Sequence, residues 1–163
     1  MENTKSLNLE GNFLKFHYQK EVMSLMQINP REVVEKGYLK LSPYSKIQQV
    51  GIDLSIEKEV EIAGWKKWEL VRLNEEFHLP SDVFAILFPR STMFRNGMIV
   101  ECGVVEPGYE GRPVVAIHIP FLTTGDVGVK SMTLSKGYRV VQAIFFKANS
   151  ASIYNGSYQG EGL

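Results

Sequence analysis

The sequence predicts an all-β domain, built as a barrel or a jelly roll, and three observations support that prediction. The chain has 163 residues, which is about one ordinary domain. About eight short segments along it are apolar or alternate between apolar and polar residues, as strands do. Turn residues separate these segments, and the helical segments of a parallel α/β sheet do not alternate with them.

The first predicted element is a short helix. Asn29 is a suitable N-cap, a proline follows where no N–H donor is needed, and Glu32 stands three residues after the cap. Gly37 ends this helix of about two turns, which directs Val33 and Val34 inward.

The predicted strands then follow in order. They cover residues 38–41, 50–56, 68–73, 83–88, 98–105, 113–119, 131–134 and 138–146. One isolated helical turn at 91–96, closed by Gly97, stands between two of them, and the predicted turns lie at 63–64, 79–82, 107–108 and 124–126.

These elements predict three regions. Residues 29–148 form the β domain, and residues 1–28 are an N-terminal extension of uncertain role. Residues 149–163 are rich in Ser, Gly, Asn and Tyr, which predicts a mobile C-terminal arm.

Charge and composition exclude several classes of protein. Eighteen basic and eighteen acidic residues balance, so the diffuse positive field of a nucleic-acid or anionic-membrane binder is absent. No apolar run approaches the roughly 18 residues of a membrane span, and residues 1–20 lack an apolar signal core. The single Cys102 fits a reducing compartment. We therefore expect a soluble, cytoplasmic protein without nucleic-acid or membrane partners.

The first segment that could carry chemistry is FPRSTMFR (88–95). Arg90 and Arg95 bracket the hydroxyls of Ser91 and Thr92 at the start of a helical turn. Guanidinium groups, hydroxyls and free N–H groups together suit an oligophosphate. A surface turn with solvated arginines explains the same pattern.

Four further segments carry polar residues at strand ends or in turns. Glu106 and Tyr109 flank a Pro-Gly turn and suit a general base beside a flat substrate, although an ordinary hairpin fits equally. Asp53, inside an alternating strand, is either a buried paired carboxylate or a strand-edge residue. Gln142 is a polar residue among apolar neighbours, and Tyr158 lies in the arm, which is either a ligand lid or a frayed terminus.

In their order along the chain, the five segments resemble the motifs of the trimeric dUTPase and dCTP deaminase superfamily. PRSTMFRNGM (89–98) is similar to the family's PRSSLARLGL, and GVVEPGYEGR (103–112) to its GWIDPGFEGR. VGIDLSI (50–56), KGYRVVQAIFF (136–146) and YNGSYQGEG (154–162) resemble its first motif, its fourth motif and a shortened arm. The resemblance covers about residues 29–160. It implies a distorted jelly-roll β-barrel with short helices, assembled as a homotrimer with active sites between subunits.

The resemblance also implies a role for each matching residue. The substrate-binding residues would be Arg90, Ser91, Thr92 and Arg95 at the triphosphate, Gly103 in the base hairpin of about residues 98–103, Tyr109 against the deoxyribose, and Tyr158 in the arm. The catalytic residues would be Glu106, in place of the family's water-activating Asp, and Gln142, which helps to hold the water and phosphates. Asp53 would support the site structurally.

Two activities share this scaffold, dUTP hydrolysis and dCTP deamination. The deaminase needs a Glu on the strand after the EGR turn, and in this sequence that position is Ala116. Residues 112–124 contain no Asp or Glu, and His118 near that position is expected to be a packed or surface residue. The resemblance therefore favours hydrolysis of dUTP to dUMP and pyrophosphate over deamination. Mg²⁺ would be held mainly by the substrate phosphates, without dedicated protein ligands.

Three departures from the family favour an alternative, a non-catalytic deoxynucleotide-binding or regulatory paralogue. Glu106 is one methylene longer than Asp, and a misplacement of about 1 Å can cost about 100-fold in rate. Ser157 stands where the deaminase-like arm carries a phosphate-binding Lys. The chain stops at Leu163, before the usual last stretch of the arm, which predicts weaker closure over the substrate.

Overall fold

The structure is a computed structural model that describes residues 26–63, 68–120, 131–149 and 152–163. The two short helices are α1 (Pro30–Glu35) and α2 (Ser91–Arg95). The strands are β1 (Leu39–Lys40), β2 (Lys46–Ile47), β3 (Ile52–Ser55), β4 (Val60–Ala63), β5 (Glu69–Arg72), β6 (Glu76–His78), β7 (Val83–Pro89), β8 (Ile99–Glu101), β9 (Val104–Val105), β10 (Glu110–Gly111), β11 (Val114–His118), β12 (Ser131–Leu134) and β13 (Arg139–Lys147). The domain is therefore mainly β, as the sequence predicts.

Helix α1 begins and ends where the sequence predicts. The Asn29 side chain accepts a hydrogen bond of 2.9 Å from the Arg31 N–H, which satisfies one of the free donors of the first turn. Gly37 follows the helix with φ +71°, a conformation that glycine adopts without strain. Val33 is completely buried, so one face of the helix closes the core.

The largest sheet has five antiparallel strands in the order β2-β3-β13-β7-β9. Strand β13 lies at its centre and alternates between buried and half-buried residues over most of its length. Its Phe145 stacks on Phe77 of β6 with ring centroids 5.8 Å apart, which joins this sheet to the next one.

Three smaller antiparallel sheets complete the fold. Their strand orders are β1-β6-β10, β5-β11-β8 and β12-β4. Pairings among the described strands form these four sheets and no single closed cylinder. In the described residues no helix is long and apolar enough to span a membrane.

The structure corrects the predicted strand at 98–105. This stretch forms β8, which pairs with β11, and β9, which pairs with β7, so the chain changes sheet at Cys102 and Gly103. The sequence also fails to reveal β2, β4, β6 and β10, because strands of two to four residues are too short to show a period of two. The predicted turn at 124–126, residue 64 of the turn at 63–64 and most of the N-terminal extension lie outside the described residues.

Candidate functional site

Asp53 is the centre of a group of charged side chains at one end of the five-stranded sheet. It is 2% exposed and lies opposite Gln142 in the pairing of β3 with β13. Its Oδ2 atom lies 3.1 Å from Arg90 Nε and 3.8 Å from Arg139 Nε, and it accepts a 2.9 Å hydrogen bond from Gln48 Nε2. Asp53 is therefore a buried, paired carboxylate. We call Asp53, Arg90, Arg139 and Gln48 the arginine cluster.

Arg90 connects this cluster to helix α2. Its backbone N–H donates to Val140 O over 3.0 Å, and its Nη1 atom donates to Arg139 O over 3.1 Å. Arg90 occupies the N-cap position of α2 without capping it, because a guanidinium has no acceptor for the free N–H groups of the first turn. Ser91 and Arg95, at the two ends of the helix, are exposed. The sequence-predicted cations and the exposed hydroxyl thus lie on one short segment, with Arg90 fixed and Arg95 open to solvent.

A cavity of about 810 Å³ contains the second group of predicted residues. Glu106, Tyr109 and Tyr158 line it. The other charged residues of its lining are Glu57, Lys58, Glu59 and Arg72, together with Glu161 from the arm. Four glutamates against one lysine and one arginine give the cavity an acidic lining.

Glu106 and Tyr109 stand on a rigid turn at this cavity. The Tyr109 N–H donates to Glu106 O over 3.1 Å, and Gly108 between them has φ +79°. The Glu106 side chain is exposed, whereas Tyr109 is only 6% exposed and meets Tyr154 edge to face at 5.7 Å. Burial, with a smaller effect of the Glu161 charge, raises the pKa of the Tyr109 hydroxyl to about 12. Tyr109 is therefore neutral at physiological pH and presents little of its ring to solvent.

The C-terminal arm packs along the same turn. Tyr154 N–H donates to Pro107 O over 2.7 Å, and Gly160 N–H donates to Glu110 O over 2.9 Å. Arg112 N–H then donates to Glu161 O over 2.8 Å. Tyr158, 66% exposed, lies at the cavity edge. The arm thus supplies part of the cavity wall, and its predicted mobility stays a prediction.

Gly103 lies in the hairpin that the resemblance assigns to the base. It is exposed, and its carbonyl accepts a 3.0 Å hydrogen bond from Leu87 N–H. The preceding Cys102 Sγ donates to Leu87 O over 3.2 Å. Burial raises the pKa of this thiol to about 11, with a smaller effect of the Glu101 charge, so Cys102 is a neutral packing residue at pH 7.

A further carboxylate lies on the outer face of the sheet β5-β11-β8. Ala116 of β11 pairs with Leu70 on one side and with Glu101 on the other. Side chains of directly paired residues lie about 5 Å apart at their Cβ atoms, so Glu101 shares the face of Ala116. Counting along β11 alone misses Glu101, because only the strand register brings it there.

His118 lies on the same outer face. Its ring contacts Trp68 with centroids 5.1 Å apart, and its buried Nδ1 atom has no hydrogen-bond partner among the described residues. These contacts are those of a packed strand residue.

The described lining of the cavity includes none of the residues of the arginine cluster or of helix α2. Apart from Gly103, which lies in neither, the predicted site residues therefore form two groups in one chain: the arginine cluster with α2 and Gln142, and the cavity with Glu106, Tyr109 and Tyr158.

The two groups differ from a dedicated metal site in their donor atoms. Among the described residues, no three His, Cys, Asp or Glu side chains are placed to hold a metal ion together. Mg²⁺ is commonly bound through one or two carboxylates, with substrate phosphates and waters as its other ligands. The exposed carboxylate of Glu106 fits such a shared role.

Comparisons with known proteins identify the family. A family model described as dCTP deaminase-like matches residues 66–148. This match covers half of the chain, and the protein belongs to the dCTP deaminase-like family.

Curated relatives in the family carry two different names. A probable deoxyuridine 5′-triphosphate nucleotidohydrolase of Archaeoglobus fulgidus is 36% identical over 65% of this chain and 62% of its own length. One of the same name from Aeropyrum pernix is 28% identical over 85% of this chain and its entire length. A dCTP deaminase of Pyrobaculum islandicum is 27% identical over 80% of this chain and 88% of its own length.

Solved structures match the fold. A 2′-deoxycytidine 5′-triphosphate deaminase from Agrobacterium tumefaciens aligns with a TM-score of 0.58 and 15% identity over 76% of this chain and 49% of that chain. A dUTPase of Staphylococcus bacteriophage 80alpha with dUPNHPP aligns with a TM-score of 0.54 and 15% identity over 73% of this chain and 86% of that chain. The fold is therefore the one that dUTPases and dCTP deaminases share.

Proposed function

We propose that this protein hydrolyses dUTP to dUMP and pyrophosphate. The observation that carries the proposal is the placement of Glu106, whose exposed carboxylate lines the cavity on the same turn as Tyr109. Two relatives named probable deoxyuridine 5′-triphosphate nucleotidohydrolase support the same activity.

The charges of the two groups favour one orientation of the nucleotide. The four glutamates of the cavity repel a triphosphate, whereas Arg90, Arg139 and Arg95 attract it. The base and deoxyribose therefore occupy the cavity beside Tyr109, and the phosphates extend to the arginines. The hydroxyls of Ser91 and Thr92 and the N–H groups at the start of α2 add donors for phosphate oxygens.

Hydrolysis then needs a base and charge stabilisation. Glu106 takes a proton from a water molecule, the water oxygen bonds to the α-phosphorus, and the bond from that phosphorus to the leaving oxygen breaks. The electron pair of the broken bond leaves with pyrophosphate, whose charge Arg90 and Arg95 stabilise. Gln142 orients the water and the phosphates. Mg²⁺ bound to the phosphates supplies further charge neutralisation.

Glu106 is one methylene longer than Asp, so its side-chain rotamer has to bring the carboxylate to the position of the Asp carboxylate. The backbone of the turn is held by the hydrogen bonds from Tyr109 N–H to Glu106 O and from Gly108 N–H to Pro80 O, so it cannot shift freely. The side chain is exposed and can choose among rotamers. Glu106 therefore replaces Asp by bending its longer side chain rather than by moving the turn.

We also propose that the site is completed in a homotrimer, with the arginine cluster of one copy facing the cavity of another. The absence of the arginine cluster from the described cavity lining supports this arrangement. The outer face of β5-β11-β8 supplies an apolar contact surface, since Leu70 is 74% exposed and Ile99 is 43% exposed.

A second candidate activity, dCTP deamination, is favoured by one observation. Glu101 lies across from Ala116, at the position where the family's deaminases carry a carboxylate on the strand. The relative from Pyrobaculum islandicum is named dCTP deaminase, which supports this second candidate.

The product pattern tests both activities. The purified protein is incubated separately with dUTP and with dCTP in Mg²⁺, and the products are resolved by ion-exchange chromatography. We expect dUMP and pyrophosphate from dUTP and no product from dCTP. Uracil nucleotide formed from dCTP would establish the second activity, and binding of both nucleotides without turnover would make the protein a non-catalytic paralogue.

A further inference from the structure

Glu75 is a buried carboxylate that the sequence did not single out. It is completely buried, immediately before β6. Its Oε1 atom accepts hydrogen bonds from the hydroxyls of Ser42 at 2.6 Å, Ser45 at 2.7 Å and Ser55 at 2.9 Å, and its Oε2 atom accepts from Ser55 N–H at 2.9 Å. All four donors are neutral, so hydrogen bonds alone compensate the loss of hydration.

The first two donors belong to the segment of residues 42–48, which includes β2 and which we call the 42–48 loop. Ser42 N–H donates to Ser45 Oγ over 2.9 Å, and Ser45 N–H donates to Ser42 O over 3.2 Å. Because both hydroxyls also donate to Glu75, the base of this loop is fixed to a group that lies 30 or more residues further along the chain. The 42–48 loop is thus held near its start by Glu75 and near its end by the pairing of β2 with β3.

The same loop contacts the arginine cluster at two further points. Gln48 Nε2 donates to Asp53 Oδ2 over 2.9 Å, and Tyr44 O accepts a 3.4 Å hydrogen bond from Arg139 Nη1. A displacement of the loop would therefore remove one donor from Asp53 and one acceptor from Arg139.

Glu75 reaches the cluster by a second route through β3. Ser55, which gives Glu75 two hydrogen bonds, stands two residues after Asp53 on the same strand. Residues two apart on a strand point to the same side, so a shift of β3 at Ser55 would also displace the Asp53 side chain. Both routes end at the carboxylate that pairs with Arg90.

We propose that Glu75 is a positioning residue for binding of the triphosphate. It fixes the 42–48 loop and β3, and through them it holds Asp53 and Arg139 in the places that direct the guanidinium of Arg90 and the start of α2 to the phosphates. This inference rests on the proposed nucleotide-binding function. Glu75 itself does not contact the substrate.

The test compares Glu75→Gln with Glu76→Gln, its neighbour in sequence. The glutamine amide keeps the size of the side chain but places an NH₂ donor opposite the serine donors. Hydrogen bonds that hold the 42–48 loop are therefore lost. Glu76 is a matched control, because its carboxylate contacts Lys40, His78 and Arg112 and none of these side chains contacts Asp53 in the described structure.

We expect Glu75→Gln to raise KM for dUTP about tenfold with kcat within about threefold of wild type, and Glu76→Gln to change neither by more than about twofold. The loss in affinity for a non-hydrolysable dUTP analogue should be about tenfold, while binding of deoxyuridine stays unchanged. That selectivity separates positioning of the phosphate site from general loosening of the domain, which would weaken both ligands equally.

Ser45→Ala decides the question if Glu75→Gln fails to fold. It removes one hydroxyl from Glu75 and should raise KM for dUTP about threefold without changing deoxyuridine binding. Unchanged triphosphate affinity in a folded variant, or equal loss for both ligands, would overturn the inference. If wild-type protein binds the analogue but releases no dUMP, only the proposed hydrolysis is contradicted. The affinities of wild type and variant for the analogue would still test the role of Glu75.

Discussion

The arginine cluster and the acidic cavity differ in how they are held. Asp53 is buried and joined to three side chains from the 42–48 loop, the start of α2 and β13. The cavity is bounded instead by exposed side chains such as Glu106 and by an arm that attaches through backbone and side-chain hydrogen bonds at the surface. A triphosphate is bound best by cations in fixed places, whereas a proton acceptor has to remain open to water. The fixed region therefore suits phosphate binding and the open region suits chemistry.

The largest difference between the regions should appear in turnover. Glu106→Gln keeps the size of the side chain but removes the proton acceptor, so we expect kcat for dUTP to fall at least about 100-fold. Binding of a non-hydrolysable dUTP analogue should change by less than about threefold. Product release is followed by ion-exchange chromatography, and binding by calorimetry.

Glu110→Gln is the matched control for this variant. Glu110 is an exposed glutamate at the start of β10, just after the same turn, and its side chain is not part of the described cavity lining. It should keep near wild-type kcat. Equal losses in the two variants would assign the effect to the charge of the turn rather than to Glu106.

The next largest difference should appear in stability. Asp53→Ala leaves Arg90 and Arg139 without their buried carboxylate, and we expect the free energy of unfolding to fall by about 3 kcal/mol. Glu161→Ala removes a partly exposed ion pair of 3.4 Å with Arg72, which should cost less than about 1 kcal/mol. Urea unfolding followed by circular dichroism measures both. Similar losses would mean that the two regions are held equally firmly.

The last expected effect is a pH dependence at Cys102 that is confined to alkaline pH. Burial raises the pKa of Cys102 from its ordinary value of 9.0 to about 11 in the folded chain, so the unfolded chain loses the thiol proton first as pH rises. The Cys102 contribution is therefore present below pH 9 and is lost between pH 9 and 11. Unfolding free energies across this range should fall less steeply for Cys102→Ala than for wild type. Identical slopes would show that the thiol does not titrate differently on folding.

The sequence predicted those elements whose signals are local. The cap at Asn29, the glycine after α1 and the turn at Ser91–Arg95 each depend on residues within a few positions of one another, and the structure contains all three. Most long strands were also predicted, because their alternating residues extend over several positions.

The parts that escaped prediction depend on long-range pairing. Glu75 receives its donors from residues 20 to 33 positions away, and no sequence pattern marks them as partners. Glu101 becomes a neighbour of Ala116 only through the register of β8 with β11. The separation of the arginine cluster from the cavity is likewise a property of the folded chain, since the motifs that supply the two groups interleave along the sequence.

The most direct test of a site shared between copies mixes two variants that should each have lost most of the wild-type activity. Arg95→Ala alters the cation next to the arginine cluster, and Glu106→Gln alters the base at the cavity. The two chains are produced together in equal amounts, and hydrolysis is measured at a dUTP concentration below KM. If each site takes its arginines from one copy and its cavity from another, about one quarter of the sites regain both residues, and the mixture recovers about one quarter of wild-type activity. Activity no greater than the average of the separate variants would contradict a site shared between copies.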